Sequence, residues 1–111
     1  MAAYTLKRLV DPTQLPTSAT SIYTVGQGIT TAIKEILVAN ASAANASITV
    51  HIAKSGTINS QSNQIVPSVV VSPNSVLTLD ITQVMNEGDK IYAYSSIASS
   101  LNIMISGYEA Q

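Results

Sequence analysis

The residues able to do chemistry are few: one histidine, six carboxylates and no cysteine in 111 residues. General acid–base catalysis needs ionisable groups that converge. His51 instead stands between Val50 and Ile52 in "SITVHIA", on the face opposite the apolar residues, and reads as structural, pointing outward or toward a subunit interface. Neither His-x-His nor paired His/Cys spacing occurs, so a transition-metal site has no ligand set. Asp80, Glu87 and Asp89 are candidate calcium oxygens. Asn86-Glu87-Gly88-Asp89, however, lacks the regularly spaced ligands of a calcium loop and reads as a turn around a left-handed glycine. Gly26-Gln27-Gly28 lacks the later glycine and the Lys-Ser/Thr of a phosphate loop and reads as a hairpin turn. The expectation is a chain that is not an enzyme and carries no cofactor and no metal.

One repeated tripeptide remains. Asn40-Ala41-Ser42 and Asn45-Ala46-Ser47 both match a glycosylation acceptor, which requires entry into a secretory pathway. "MAAYTLKRLVDPTQLPTS" has its charges after a short apolar start and then two prolines, the wrong order for a secretory leader. No run approaches the roughly 18 apolar residues of a membrane helix. The expectation is a soluble protein made without export, and the doubled tripeptide reads as the small polar tip of a β-hairpin, with Asn40 or Asn45 suited to a positive φ.

Composition removes further classes. The chain is 46% hydrophobic yet has no Phe and no Trp, so its core must come from Val, Ile, Leu, Ala and Met with some of the five Tyr. At 10% charged residues and net charge −1, the surface is mostly Ser, Thr, Asn, Gln and Ala. Nucleic-acid binding needs clustered cations, and five basic residues with one adjacent pair, Lys7-Arg8, do not supply them.

The elements that position these residues follow a period of two. Ile48, Val50 and Ile52 alternate with Thr49 and His51, and Leu77, Leu79 and Ile81 with Thr78 and Asp80. Ile91 and Ala93 alternate with Tyr92 and Tyr94, and Leu101, Ile103 and Ile105 with Asn102, Met104 and Ser106. Shorter strands are predicted at 21–25 and 66–71, with Pro67 directing the latter to an edge or a strand start. "ITTAIKEILVANASAA" also fits a helical template, but its β-branched residues favour a strand. In that strand Lys34 or Glu35 must lie near an end, or a bulge must shift the register. "TINSQSNQ" (57–64) reads as an exposed loop. About seven or eight short strands result, the number of an antiparallel two-sheet sandwich. Residues 1–20, with Pro12 and Pro16, read as an extended N-terminal arm beside a sandwich domain spanning 21–111.

The order "IYTVGQGITTAIKEILVANASAANASITVHIAKSG", "VLTLDITQVMNEGDKIYAYSS" and "LNIMISGYE" resembles a family of small all-β tailed-bacteriophage virion proteins, over about residues 21 to 109. "NEGDKI" and "ISGYE" carry most of that resemblance. Gly26-Gln27-Gly28, where members tend to have Pro-Ala-Gly, and the longer "TINSQSNQ" loop depart from it. The resemblance implies a β-sandwich of jelly-roll character acting as a structural virion protein, of which a capsid decoration or cement protein is the leading form. The alternative is a tail or fibre accessory with a carbohydrate-binding, host-recognition role. It also implies partners: copies of the chain itself, as a trimer or another homo-oligomer, and the major capsid protein or another virion protein. Nucleic acid and membrane are not among them. The expected location is the virion, assembled in the host cytoplasm. Candidate protein-contact residues are Tyr4, Leu6, Leu9 and Leu15 in the arm, and the same-face pair Tyr92 and Tyr94.

Overall fold

Alternating apolar side chains make strands with one buried face, and nine such strands account for most of the chain. The computed structural model describes residues 4–111. Its elements are β1 (Tyr4–Gln14), β2 (Thr20–Thr24), β3 (Thr30–Asn40), β4 (Ala46–Ala53), β5 (Gln64–Val71), β6 (Val76–Leu79), β7 (Gln83–Met85), β8 (Lys90–Ser95) and β9 (Leu101–Ala110), with one 3-10 turn at Gln61–Asn63. The ambiguous stretch after Ile29 is strand β3, and no α-helix occurs among the described residues.

All pairings are antiparallel. One sheet, here sheet A, has the order β1-β9-β3-β6, with β7 pairing β3 on the same side as β6 and in line with it; the other, sheet B, has the order β2-β8-β4-β5. The partners are nested, β4 with β5 at the centre, β3 with β6 and β7, β2 with β8, and β1 with β9. A long hairpin rolled up so that its successive pairs fall alternately into two sheets has this pattern, which is the eight-stranded jelly roll with one strand broken into β6 and β7. The fold is therefore an all-β antiparallel sandwich of jelly-roll character, with nine strands where seven or eight were expected.

The core between the sheets is aliphatic. Ile33, Ile36, Val38, Ile48, Val50, Ile91, Leu101, Ile103 and Ile105 are all at most 1% exposed. Full burial of each side chain contributes about 1.5–3 kcal/mol before conformational entropy is subtracted. Strand β3 reaches this core from both of its halves through a bulge. Ile33 is opposite Gly107 and Glu35 is opposite Ser106, so Lys34 is the extra residue. The strict alternation of Ala32, Lys34, Ile36 and Val38 is thereby broken: Thr31 and Ile33 face inward before the bulge, and Ile36, Val38 and Asn40 after it. Pro67 lies on β5, an edge strand, followed by Ser68 at φ 47° where the register to β4 shifts.

Two expectations are corrected. The stretch read as an arm beside the domain is in fact strand β1, paired with β9 from Tyr4↔Ala110 to Gln14↔Asn102. Pro12 is accommodated because β1 is an edge strand and its register shifts between Val10 and Thr13, where no ladder donor is required. Residues 1–3 of that stretch lie outside the described residues. The two expected hairpins, at 26–28 and at the doubled Asn-Ala-Ser, are crossings between sheets: β2 and β3 lie in different sheets, as do β3 and β4. Neither Asn40 nor Asn45 has a positive φ; Asn74, in the turn Ser72-Pro73-Asn74-Ser75, does, at 56°.

Gly107 marks the tightest approach in sheet A. A Cβ there would overlap the Ala32 carbonyl oxygen and lie 3.0 Å from the Leu9 side chain. Because the obstacle is backbone in the central pair of the sheet, Gly107→Ala is expected to lower unfolding stability by about 2–3 kcal/mol. Urea denaturation monitored by circular dichroism measures this; an unchanged midpoint would contradict the packing described.

Candidate functional site

The jelly roll gathers its connections at two ends that differ in character. One end carries the segments 15–19, 41–45, 72–75 and 96–100, "LPTSA", "ASAAN", "SPNS" and "SIASS", with no charged residue in any of them. Asn40 organises this end. It is 2% exposed, and its side-chain amide donates to Ala44 O at 2.8 Å and Val71 O at 2.9 Å. Its Oδ1 accepts the Ser42 amide at 2.9 Å and the Ser42 hydroxyl at 2.7 Å. Backbone bonds from Asn40 to Ser75 O and from Ala41 to Ser100 O tie the same loop to its neighbours. The first Asn-Ala-Ser is therefore a buried brace, and the residues it leaves outward, Ala41, Ala43, Ala44 and Asn45, are exposed.

The opposite end carries the loop charges and is locked by them. Asp89 accepts the Ser55 amide and the Asn86 amide, each at 2.9 Å, and Glu87 accepts the Gly28 amide at 2.7 Å. Gly88 adopts φ +85°, and a Cβ there would collide with the Ser55 side chain. "NEGD" is thus a turn whose carboxylates satisfy backbone donors of three loops. Among the described residues, no group of three or more His, Asp or Glu side chains is placed to hold a metal ion.

A polar clamp spans both sheets at this end. Tyr23 of β2 donates its hydroxyl proton to Glu109 of β9 at 2.5 Å, which leaves the Thr31 hydroxyl to donate to Tyr23 at 2.7 Å. Lys7 completes it with an ion pair to Glu109 at 3.0 Å. Burial, and next the bond to Glu109, push the Tyr23 hydroxyl up to about 12. The bond from Tyr23, against some burial and helped by Lys7, holds Glu109 below the ordinary 4.5.

The outer face of sheet B is covered at His51, whereas Val70 on its edge strand β5 is 58% exposed. Ser21, Tyr92, His51 and Gln64 form one row across it. His51 is 2% exposed beneath the 58–63 loop, with Nδ1 3.0 Å from Ser60 O and 2.8 Å from Asn63 Oδ1. Asn63 is oriented by accepting from the Ser60 amide and donating to Ile58 O, so His51 Nδ1 carries the proton. His51 Nε2 is buried with no hydrogen-bond partner among the described residues. Tyr94 stacks on the His51 ring at 6.1 Å, and both Tyr92 and Tyr94 are half-buried. Neither is an open aromatic platform: Tyr94 lies against the His51 ring and Tyr92 is the cross-strand neighbour of His51.

The outer face of sheet A is open. Tyr4 and Leu6 are 70% and 69% exposed on β1, and Val84 is 64% exposed on β7. The register aligns Leu6 with Tyr108, Tyr108 with Ala32, and Ala32 with Val84, an apolar row across the full sheet. Of the other expected contact residues, Leu9 packs against the core and Leu15 is 1% exposed within it. Leu15 is therefore a core residue and not a contact residue, held by the hydrogen bond its backbone N–H donates to Leu101 O. Val84 and Tyr108 also lie on this face; alternation marks Tyr108 as outward, whereas the three-residue β7 is too short to show a pattern.

No protein-family model matches the chain, and no curated protein does. A solved structure of infectious bursal disease virus, Gt strain, is similar at 7% sequence identity and a TM-score of 0.44, over 98% of this chain and 31% of that one.

The clamp makes stability depend on pH in a stated direction. Because folding lowers the Glu109 pKa, its contribution is complete above 4.5 and is lost as pH falls through the lower, folded value. Tyr23→Phe is expected to reduce stability by about 2 kcal/mol at pH 7, the size of a hydrogen bond to a charged group, and to flatten the acid limb. Urea midpoints at pH 7 and pH 3 measure both effects; parallel acid limbs in the two proteins would contradict the clamp.

Proposed function

We propose that the chain is a structural virion protein, a capsid decoration or cement protein that binds the head of a tailed phage and stabilises it through contacts with the shell and with its own copies. The observation that carries this reading is the charge-free end. Four loops of Ala, Ser, Thr, Asn, Pro and Ile, with Leu15 turned into the core, offer short side chains whose docking desolvates no ionised group. Such a surface can approach a flat partner closely, and each Å² of apolar area covered contributes about 25 cal/mol before association costs.

The reading is supported by the jelly-roll topology, one of the architectures used by capsid domains, and by the resemblance of residues 21–109 to small phage virion proteins. The carbohydrate-binding alternative draws no support from Tyr92 and Tyr94, since both are half-buried and Tyr94 is stacked on His51.

Mass spectrometry of purified particles of the encoding phage is expected to find the chain in many copies. Particles stripped of it should rebind the wild-type protein, whereas Ala43→Glu/Ala98→Glu, at two exposed positions of the charge-free end, should bind at least about tenfold more weakly because each carboxylate must be desolvated. Absence from particles, or equal rebinding by a correctly folded double variant, would refute the assignment.

A further inference from the structure

The outer face of sheet A carries more than an exposed apolar row. In strand order it reads Leu6, Tyr108, Ala32, Val84, and the neighbouring row reads Arg8, Ser106, Glu35. The first row is large at its ends, with a large and a small residue at its middle. The second places a cation on the edge strand and an anion two strands away. Arg8 is bonded through Nε to Asp11 at 2.7 Å with its side chain 57% exposed, so its terminal nitrogens face solvent. Glu35 makes no hydrogen bond or ion pair among the described residues, and Lys34, the extra residue of the bulge, is exposed beside it.

We infer that this face binds a second copy of the chain, face to face, about a two-fold axis parallel to the strands and centred between β9 and β3. A two-fold operation of this kind reverses the strand order while preserving the row. Leu6 then lies over Val84 of the second copy, and Tyr108 lies over the small Ala32, twice by symmetry. Tyrosine meets a small residue and leucine meets a branched one, as in an interdigitated sheet interface. Arg8 falls one strand from the Glu35 of the second copy, about 4.8 Å aside with the sheets about 10 Å apart, within the combined reach of the two side chains.

The size also fits. Four strands are about 19 Å wide and an 11-residue strand such as β1 or β3 is about 36 Å long, giving close to 700 Å². A standard interface takes roughly 800 Å² from each partner. Twist trims the contact, so this area suits a dimer that exchanges. The inference does not depend on a virion role, since the contact lies on a sheet face and the proposed shell contact lies on the loops of one end.

Sedimentation velocity of the full chain across a concentration series tests it, with circular dichroism confirming that each variant is folded. The wild type is expected to dimerise. Ala32→Arg, on the open face, should give monomers. Arg8→Glu and Glu35→Arg should each weaken the dimer at least about tenfold, and the double reversal should restore it to within a few-fold, because only paired charges are rescued by exchange. A monomer at all concentrations, a closed assembly other than a dimer, or a dimer indifferent to Ala32→Arg and to the charge reversals would overturn the assignment. A monomer whose Ala32→Arg variant loses particle binding would assign the face to the shell protein instead and equally overturn it.

Discussion

The bulge at Lys34 is the constraint on which both the core and the outer surface depend. Strand β3 is central to sheet A, pairing β9 on one side and β6 with β7 on the other. Without an extra residue, strict alternation would place Ile33 and Ile36 on opposite faces, and one half of the strand would bury what the other half exposes. The bulge lets Ile33 and Ile36 both reach the core, each at 0% exposure. It also sets which residues face out: Ala32 lands beside Tyr108 and Val84, and Glu35 lands in the row of Arg8.

A core of Val, Ile, Leu and Ala packs densely but gives no directional anchor between the sheets. The polar groups at the two ends supply it. Asn40 ties the end of β3, in sheet A, to the carbonyl of Val71 at the end of β5, in sheet B. At the other end Tyr23, in sheet B, reaches Glu109 and Thr31, in sheet A. Removing one partner from such a network strands the others away from water, which costs more than the bond itself contributes.

Alternation makes the long half-buried strands readable, because one face carries Ala46, Ile48, Val50 and Ile52 on β4, Ile91 and Ala93 on β8, and Leu101, Ile103 and Ile105 on β9. The β3 bulge was also foreshadowed, since Lys34 and Glu35 interrupt an otherwise apolar pattern. Sheet membership was not readable: a turn of Gly or Asn is the same whether the next strand pairs with the last or crosses to the facing sheet. Strand β1 was obscured by Pro12, whose missing donor counts against a central strand but costs little at a bulged edge. The roles of Asn40, Tyr23 and Glu109 escaped notice because they are tertiary; Tyr23 and Glu109 are 86 residues apart in sequence.

The surface divides accordingly. A charge-free end suits docking on a flat protein surface, the 58–63 loop covers His51 on sheet B, and sheet A leaves an apolar row open. The claim that this row is an interface between two copies is tested most directly by cross-linking, which the absence of cysteine makes clean. Leu6→Cys and Val84→Cys proteins, treated with a bis-maleimide spanning about 8 Å, should cross-link when mixed and allowed to exchange, because the two positions lie opposite across sheets packed about 10 Å apart. Each variant alone should stay uncoupled, its cysteines lying about three strand spacings to the side, roughly 14 Å. Coupling in either single variant to the same extent, or no coupling in the mixture, would contradict the account.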